Sequence, residues 1–152
     1  MNYWLFKTEP SECSIDDFAR APTTPIVWEG VRNYQARNFL RDGVQVGDHV
    51  LIYHSSCKDI GVAGIAEVVR SAYADPSQFD CRSLYYDPKD KAEQPRWVAV
   101  DLRFVQKLPR LITLDKIKSS AKMAELPVVQ KGSRLSVMPV TIQQWRDLLA
   151  LQ

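Results

Sequence analysis

The stretch VWEGVRNYQARNFL, from Val27 to Leu40, sets one indole, Trp28, ahead of Arg32, Asn33, Tyr34, Gln35, Arg37 and Asn38, with no carboxylate between Glu29 and Asp42. The chemistry open to these residues is non-covalent. An aromatic face can stack on a planar ligand, an amide can bond its edge, and guanidinium groups can hold anionic oxygens. A surface helix in a near-neutral protein usually mixes Glu with Lys, so the run reads as a recognition surface.

Covalent chemistry has a weaker case. His54 and Cys57 lie three apart in YHSSCKD, and a thiol beside an imidazole is a nucleophile in waiting. They fall at a strand end, where neighbours need not face each other, and no third group marks itself as the one that orients the base. Metal chemistry has less: two histidines in the chain, with no C-x-x-C or H-x-x-x-H spacing. Asp16 and Asp17 belong to a helix start, where negative charge favours the dipole. Gly61 and Gly64 in GVAGIAE lack the Lys-Ser/Thr of a phosphate cradle and read as sheet curvature or close backbone approach. No catalytic set emerges, and the chain is read as non-enzymatic, without metal or cofactor.

Elements must hold these residues in place. The length of 152 residues suits one domain, 1–152, with a real core. With 45% hydrophobic and 25% charged residues the composition is globular. A net charge of +2 leaves any nucleic-acid partner to be met by a local basic surface. Three irregularly spaced cysteines, Cys13, Cys57 and Cys81, point to free thiols in a reducing compartment. No apolar run reaches membrane-spanning length and no leader precedes YWLF, which reads as cytoplasmic with no membrane partner.

NYWLFKT predicts a strand ended by Pro10, and SIDDFAR a short helix with a Ser14–Asp17 capping box. From Asn33 the helical wheel gathers Ala36, Phe39 and Leu40 on one side and Asn33, Arg37 and Arg41 on another, with Gly43 as the stop. VGDHVLIYHS, DIGVAGIAEVVRSAY and RWVAVDLRFVQKL predict three strands. In the last, Val98, Val100, Leu102 and Phe104 form the core-facing set. ADPSQFDCRSLYYDPKDKAEQP is a long loop, and such loops are often functional. TLDKIKSS and KMAEL predict two short helices, RLSVMPV a brief strand, and TIQQWRDLLALQ a closing helix boxed by Thr141 and Gln144. Strands in the middle and helices at the edges, without βαβ alternation, predict an α+β fold on a curled, mostly antiparallel sheet or small barrel.

YWLFKTEPSECSIDDF, WEGVRNYQARNFLR, VGDHVLIYHSS, GVAGIAEVVRSAYADPSQFD, YYDPKDKAEQPRWVAVDLRFV and RLSVMPVTIQQW keep the order and spacing of a family, and the whole chain resembles the EVE domain family. The long motif W-x-G-V-R-N-Y-Q-A-R-N carries most of that resemblance. It implies a PUA-like fold, a curled antiparallel β-barrel or sheet flanked by short helices, similar to YTH domains, which read methylated adenine in RNA. It also implies a non-catalytic reader that takes a modified base into a pocket: modified cytosine such as 5-methylcytosine in DNA, with modified RNA as the alternative. Cys13 stands where the family commonly has Tyr, and Ser56 where it commonly has Asn.

A reader must offset the cost of unstacking the base by stacking it on aromatics and bonding its edge. Trp28, after a β-like run and at a loop-to-helix junction, could stack on it; burial in the core is the competing role for a tryptophan. Asn33 has edge donors and acceptors, and equally suits a helix cap. Lys7, Thr8 and Glu9 match the segment that lines the pocket in the YTH-like relatives, and Glu9 could accept from a cytosine amino group or be a solvated charge. His54 and Ser55 could close the floor or rim. Tyr85 and Tyr86 could form a second aromatic wall or be plain loop residues, and Ser136 matches a family motif on the last strand. Arg32, Arg37, Arg41, Lys131 and Arg134 are read as phosphate contacts, with a solvated face as the alternative. Two further classes stay open: an enzyme using His54 and Cys57 on a small ligand, and a protein-interaction domain using exposed aromatics.

Overall fold

A computed structural model describes residues 1–152. In chain order its elements are β1 (Tyr3–Thr8), α1 (Ile15–Arg20), β2 (Ile26–Trp28), α2 (Tyr34–Asp42), β3 (His49–His54), β4 (Gly61–Ala74), β5 (Val98–Thr113), α3 (Leu114–Lys118), β6 (Val137–Val140) and α4 (Ile142–Leu149). The six strands form one sheet in the order β2-β5-β4-β3-β1-β6. All neighbours are antiparallel except β1 and β3, which run parallel with Leu5 opposite Leu51. The α+β reading holds, and the sheet is open, with β2 and β6 as its two edges.

It is also strongly curled. β2 and β1 are four places apart in the sheet, about 19 Å if it were flat at about 4.8 Å per strand. Yet the rings of Phe6 on β1 and Trp28 on β2 lie with centroids 5.5 Å apart. Register shifts in the β4–β5 ladder, at Val62/Gly64, Ile65/Ala66, Val68/Arg70 and Arg70/Tyr73, supply the bending. Gly64 gives the curl its inner clearance: a Cβ there would collide with the Ile15 side chain of α1. Close approach, one of the two roles read for Gly64, is the one it has.

The predicted strand ending at Leu108 continues as β5 to Thr113, through Pro109. Lys107 pairs with Gly64 and Ile112 with Val62, so the intervening residues loop out of the ladder and Pro109 has no bond to lose. Val100 and Leu102 are buried as predicted, with Val98 and Phe104 half-buried; Trp97 and Ala99 on the opposite face are buried too. KMAEL gives no α-helix. It yields a 3₁₀ turn, Ala121–Met123, whose Ser120 makes no side-chain cap bond, and Pro127 follows shortly to prevent extension.

Local signals elsewhere act as read. Ser14 with Asp17 and Thr141 with Gln144 form reciprocal capping boxes. Ala36 and Leu40 bury the inner face of α2, and Gly43 closes it. Thirty-three buried residues form a single cluster inside the curl. The loop between β4 and β5 is fixed at both ends by Gln78, which is fully buried: its amide N–H groups donate to the carbonyls of Asp75 and Trp97, both at 2.8 Å, and its carbonyl accepts from the Trp97 N–H. No helix is long and apolar enough to cross a membrane.

Candidate nucleic-acid base pocket

Trp28 ends the edge strand β2, paired with Val100 of β5. It is 6% exposed, in contact with Phe6 and lying nearly parallel to Phe18, at 6.4 Å and 25°. The core role is therefore real. Its remaining exposure opens into a cavity of about 530 Å³, within the usual size of a small-ligand pocket. The indole N–H has no protein acceptor, yet it is not sealed from solvent. Trp28 is thus both core and cavity wall.

The curl brings the remaining walls together. Lys7, Thr8 and Glu9 at the end of β1, Ser55 after β3, Ser136 before β6 and Tyr85 from the long loop line the same cavity. Backbone bonds fix the register: the Lys7 N–H donates to the Ser136 carbonyl and the Ser55 N–H to the Thr8 carbonyl, each at 2.9 Å. Seven of the ten predicted ligand residues meet here, since Trp28 is the seventh. Sequence reading missed Glu12, Cys13, Asp17 and the Glu29–Val31 turn. Their adjacency to Glu9 and Trp28 was the available signal.

Tyr85 is a wall, held from three sides. Its ring packs on Gly30, where a Cβ would come within 2.6 Å of the Tyr85 ring and where φ is +83°. Its hydroxyl donates to Glu12 at 2.6 Å, and its carbonyl accepts from Arg32 Nε at 3.2 Å and Nη2 at 2.7 Å. Burial first, and then the Glu12 carboxylate, push the phenol up to about 12. Arg32 also lies between the rings of Tyr85 and Trp97, at 5.4 and 5.2 Å.

This overturns Arg32 as a phosphate contact. Its Nη1 donates to Asp75 at 2.9 Å and its Nη2 to the Ser77 hydroxyl at 3.1 Å. Asp75 is fully buried and also accepts the Gly30 N–H at 2.8 Å and the Ser77 N–H at 2.7 Å. The guanidinium faces inward because the loop presents it with a buried carboxylate and a carbonyl, a fit for its planar fork.

Asn33, His54 and Tyr86 lie outside the cavity. Asn33 takes its capping role, accepting the Ala36 N–H at 3.0 Å. His54 Nε2 accepts the Ile15 N–H at 3.1 Å, and burial holds its pKa below the ordinary value. Cys57 Sγ faces the Asp59 carbonyl at 3.4 Å, so no bond joins the proposed Cys–His pair. Tyr86 is exposed. The basic stripe is engaged locally: Arg37 with Asn38, the Arg96 carbonyl and the Tyr34 ring, and Arg41 with Asp42. Lys131 and Arg134 are exposed and shortly precede Ser136. No group of three or more His, Cys, Asp or Glu is placed to hold a metal ion.

The charges of the cavity are uneven. Glu9, Glu12, Asp17 and Glu29 line it against one ammonium, Lys7. Burial lowers the Lys7 pKa, and its nearest aromatic face is Tyr53 at 6.0 Å. Burial, and then the charge on Asp75, raise that of Glu29. The Cys13 thiol is pushed up to about 11 by burial, then by Asp17 and Glu12.

Comparison with known proteins gives a consistent picture. The model of the EVE domain matches residues 2–151. Human thymocyte nuclear protein 1 is 37% identical over 99% of this chain and 74% of its own length. A crystal structure of a Pseudomonas putida protein superposes with a TM-score of 0.94 at 52% identity, covering 98% of each chain. The human THYN1 protein, solved in complex with 5-methylcytosine containing DNA, superposes with a TM-score of 0.92 at 36% identity, covering 99% of this chain and 97% of that one.

Proposed function

The chain belongs to the EVE domain family, and from that premise we propose that it is a non-catalytic reader of modified bases in nucleic acid, with a modified cytosine in DNA as the leading ligand. One observation carries the reading: a cavity of base-accepting size with Trp28 as one wall, Tyr85 as another and hydrogen-bonding groups between them. The human relative in complex with 5-methylcytosine containing DNA supports the choice of polymer and base.

In this reading a base leaves the stack and enters the cavity, where aromatic contact recovers on the order of 1–3 kcal/mol. The Trp28 N–H and the Lys7 ammonium are free to donate to a ring carbonyl, and Glu9 to accept from an exocyclic amine. Ser55 and Ser136 add hydroxyls that serve either way. Lys131 and Arg134, exposed and close in sequence to Ser136 of the lining, would meet the phosphates, and such contacts position the polymer without reading it.

The test is a fluorescence titration with short oligonucleotides carrying cytosine, 5-methylcytosine, 5-hydroxymethylcytosine or N6-methyladenine. Saturable quenching by a modified base, with affinity at least tenfold above unmodified cytosine and lowered in Trp28→Phe, is the expected result. Phe is chosen because Trp28→Ala would also remove core packing, at about 3–5 kcal/mol. A flat response to all four would remove the proposal.

A further inference from the structure

We infer that the cavity is shaped for a base bearing positive charge, so that a ring-N-alkylated, cationic base binds more tightly than its neutral, C-alkylated isomer. The inference rests on the base-reader reading and adds the charge of the ligand to it.

Charge is the first ground. Asp17 is paired on its outer side with Arg20 at 3.1 Å, and Arg32 is neutralised by Asp75 behind Tyr85. Glu9 and Glu29 form no ion pair, Arg32 acting on Glu29 less than burial and Asp75 do, and Glu12 has a phenol as its partner. Lys7 is the single opposing charge, and it bonds none of these carboxylates. The ligand space is therefore negative, which disfavours a phosphate inside it and favours a cation.

Geometry is the second, independent ground. A delocalised cation held against an aromatic face gains from the ring quadrupole, most of all over tryptophan, and aromatic walls flanked by carboxylates are the usual receptor for alkylated cations. Trp28, more than nine-tenths buried, lines this space, and its indole N–H has no protein acceptor, while Tyr85 supplies a second wall. Methylation at N3 of a cytosine removes that ring nitrogen as an acceptor but leaves the ring carbonyl to accept from Lys7 and the exocyclic amine to donate to a carboxylate, so the groups the cavity offers keep their partners. The raised pKa values of Cys13 and Tyr85, each due partly to the cavity carboxylates after burial, register the same negative field.

The isomers 3-methylcytosine and 5-methylcytosine make the comparison direct. They have the same atoms, but the first is a cation at neutral pH and the second is neutral. Binding would be measured for one oligonucleotide sequence carrying either isomer or plain cytosine, and for the two free nucleosides, at physiological ionic strength. The expected result is at least tenfold tighter binding of the 3-methyl isomer, in the same rank order for oligonucleotide and nucleoside. Glu29→Gln should narrow the ratio of the two affinities at least threefold, because the amide keeps an acceptor and loses the charge. Equal or tighter binding of 5-methylcytosine overturns the inference and leaves the reader standing. A preference seen only in the oligonucleotide assigns it to contacts outside the cavity and also overturns it. If the protein bound neither isomer, in either form, nor any other modified base, the reader itself would fall.

Discussion

Arg32 and Asp75 form the ion pair that joins the turn after β2 to the start of the long loop, at 2.9 Å, with the carboxylate fully buried. The same guanidinium holds the Tyr85 carbonyl, so one side chain sets the distance between the Trp28 side and the Tyr85 side of the cavity. Removing one partner of a buried pair leaves the other uncompensated, at about 3–5 kcal/mol. Asp75→Asn should lower the unfolding free energy in urea by about 3 kcal/mol and weaken base binding together with it. A loss under about 1 kcal/mol would mean that Arg32 finds its support elsewhere.

Gly30 tests the Tyr85 wall from the other side. An alanine there meets both the ring and a positive φ, whereas at Gly47, φ +94°, a Cβ has nothing within 4 Å. Both substitutions carry the backbone cost of about 1–3 kcal/mol. Gly30→Ala alone should also displace Tyr85 and reduce ligand affinity severalfold, with Gly47→Ala leaving affinity as it was. Equal affinities in the two variants would show that Tyr85 is not a wall the ligand touches.

His54 sets a pH dependence of stability. Its pKa in the fold is lowered from 6.5, mainly by burial, while Nε2 accepts the Ile15 N–H. The unfolded chain therefore takes up this proton first as pH falls. The stability that neutral His54 contributes is complete above about pH 6.5 and is lost as the pH drops through the lower folded value. His54→Gln retains an acceptor that does not titrate. Melting temperatures measured at pH 7.5 and pH 5 should fall further in the natural protein than in this variant; parallel declines would assign the acid sensitivity to other groups.

What the sequence revealed depended on the range of the interaction. Ser14–Asp17 and Thr141–Gln144 are signals complete within four residues, and both boxes formed as read. Asn33 was also a local matter: its capping bond formed as read, and its side chain lies outside the cavity lining. Arg32 was misread for the opposite reason. In the sequence it is one more cation ahead of a helix, and nothing nearby announces that Asp75 and Tyr85 will fold back onto it. The parallel pairing of β1 with β3 and the continuation of β5 past Pro109 are likewise settled by distant partners. The cavity was legible at Lys7 to Glu9, Trp28, Ser55, Tyr85 and Ser136 through family resemblance, because spacing alone carries no record of a curl that joins them.

The bond from Lys7 to the Ser136 carbonyl has a consequence for the order of events during synthesis. Of the six strands β1 is made first, but its second neighbour, β6, is made after all the others. Until then Trp4, Leu5 and Phe6 have a free strand edge beside them, and pairing across such a sequence separation is slow. The cavity thus gains the wall that holds Ser136 only after every other strand of the sheet has been made. Ligand binding therefore becomes a mark of the closed sheet, with β6 seated on β1.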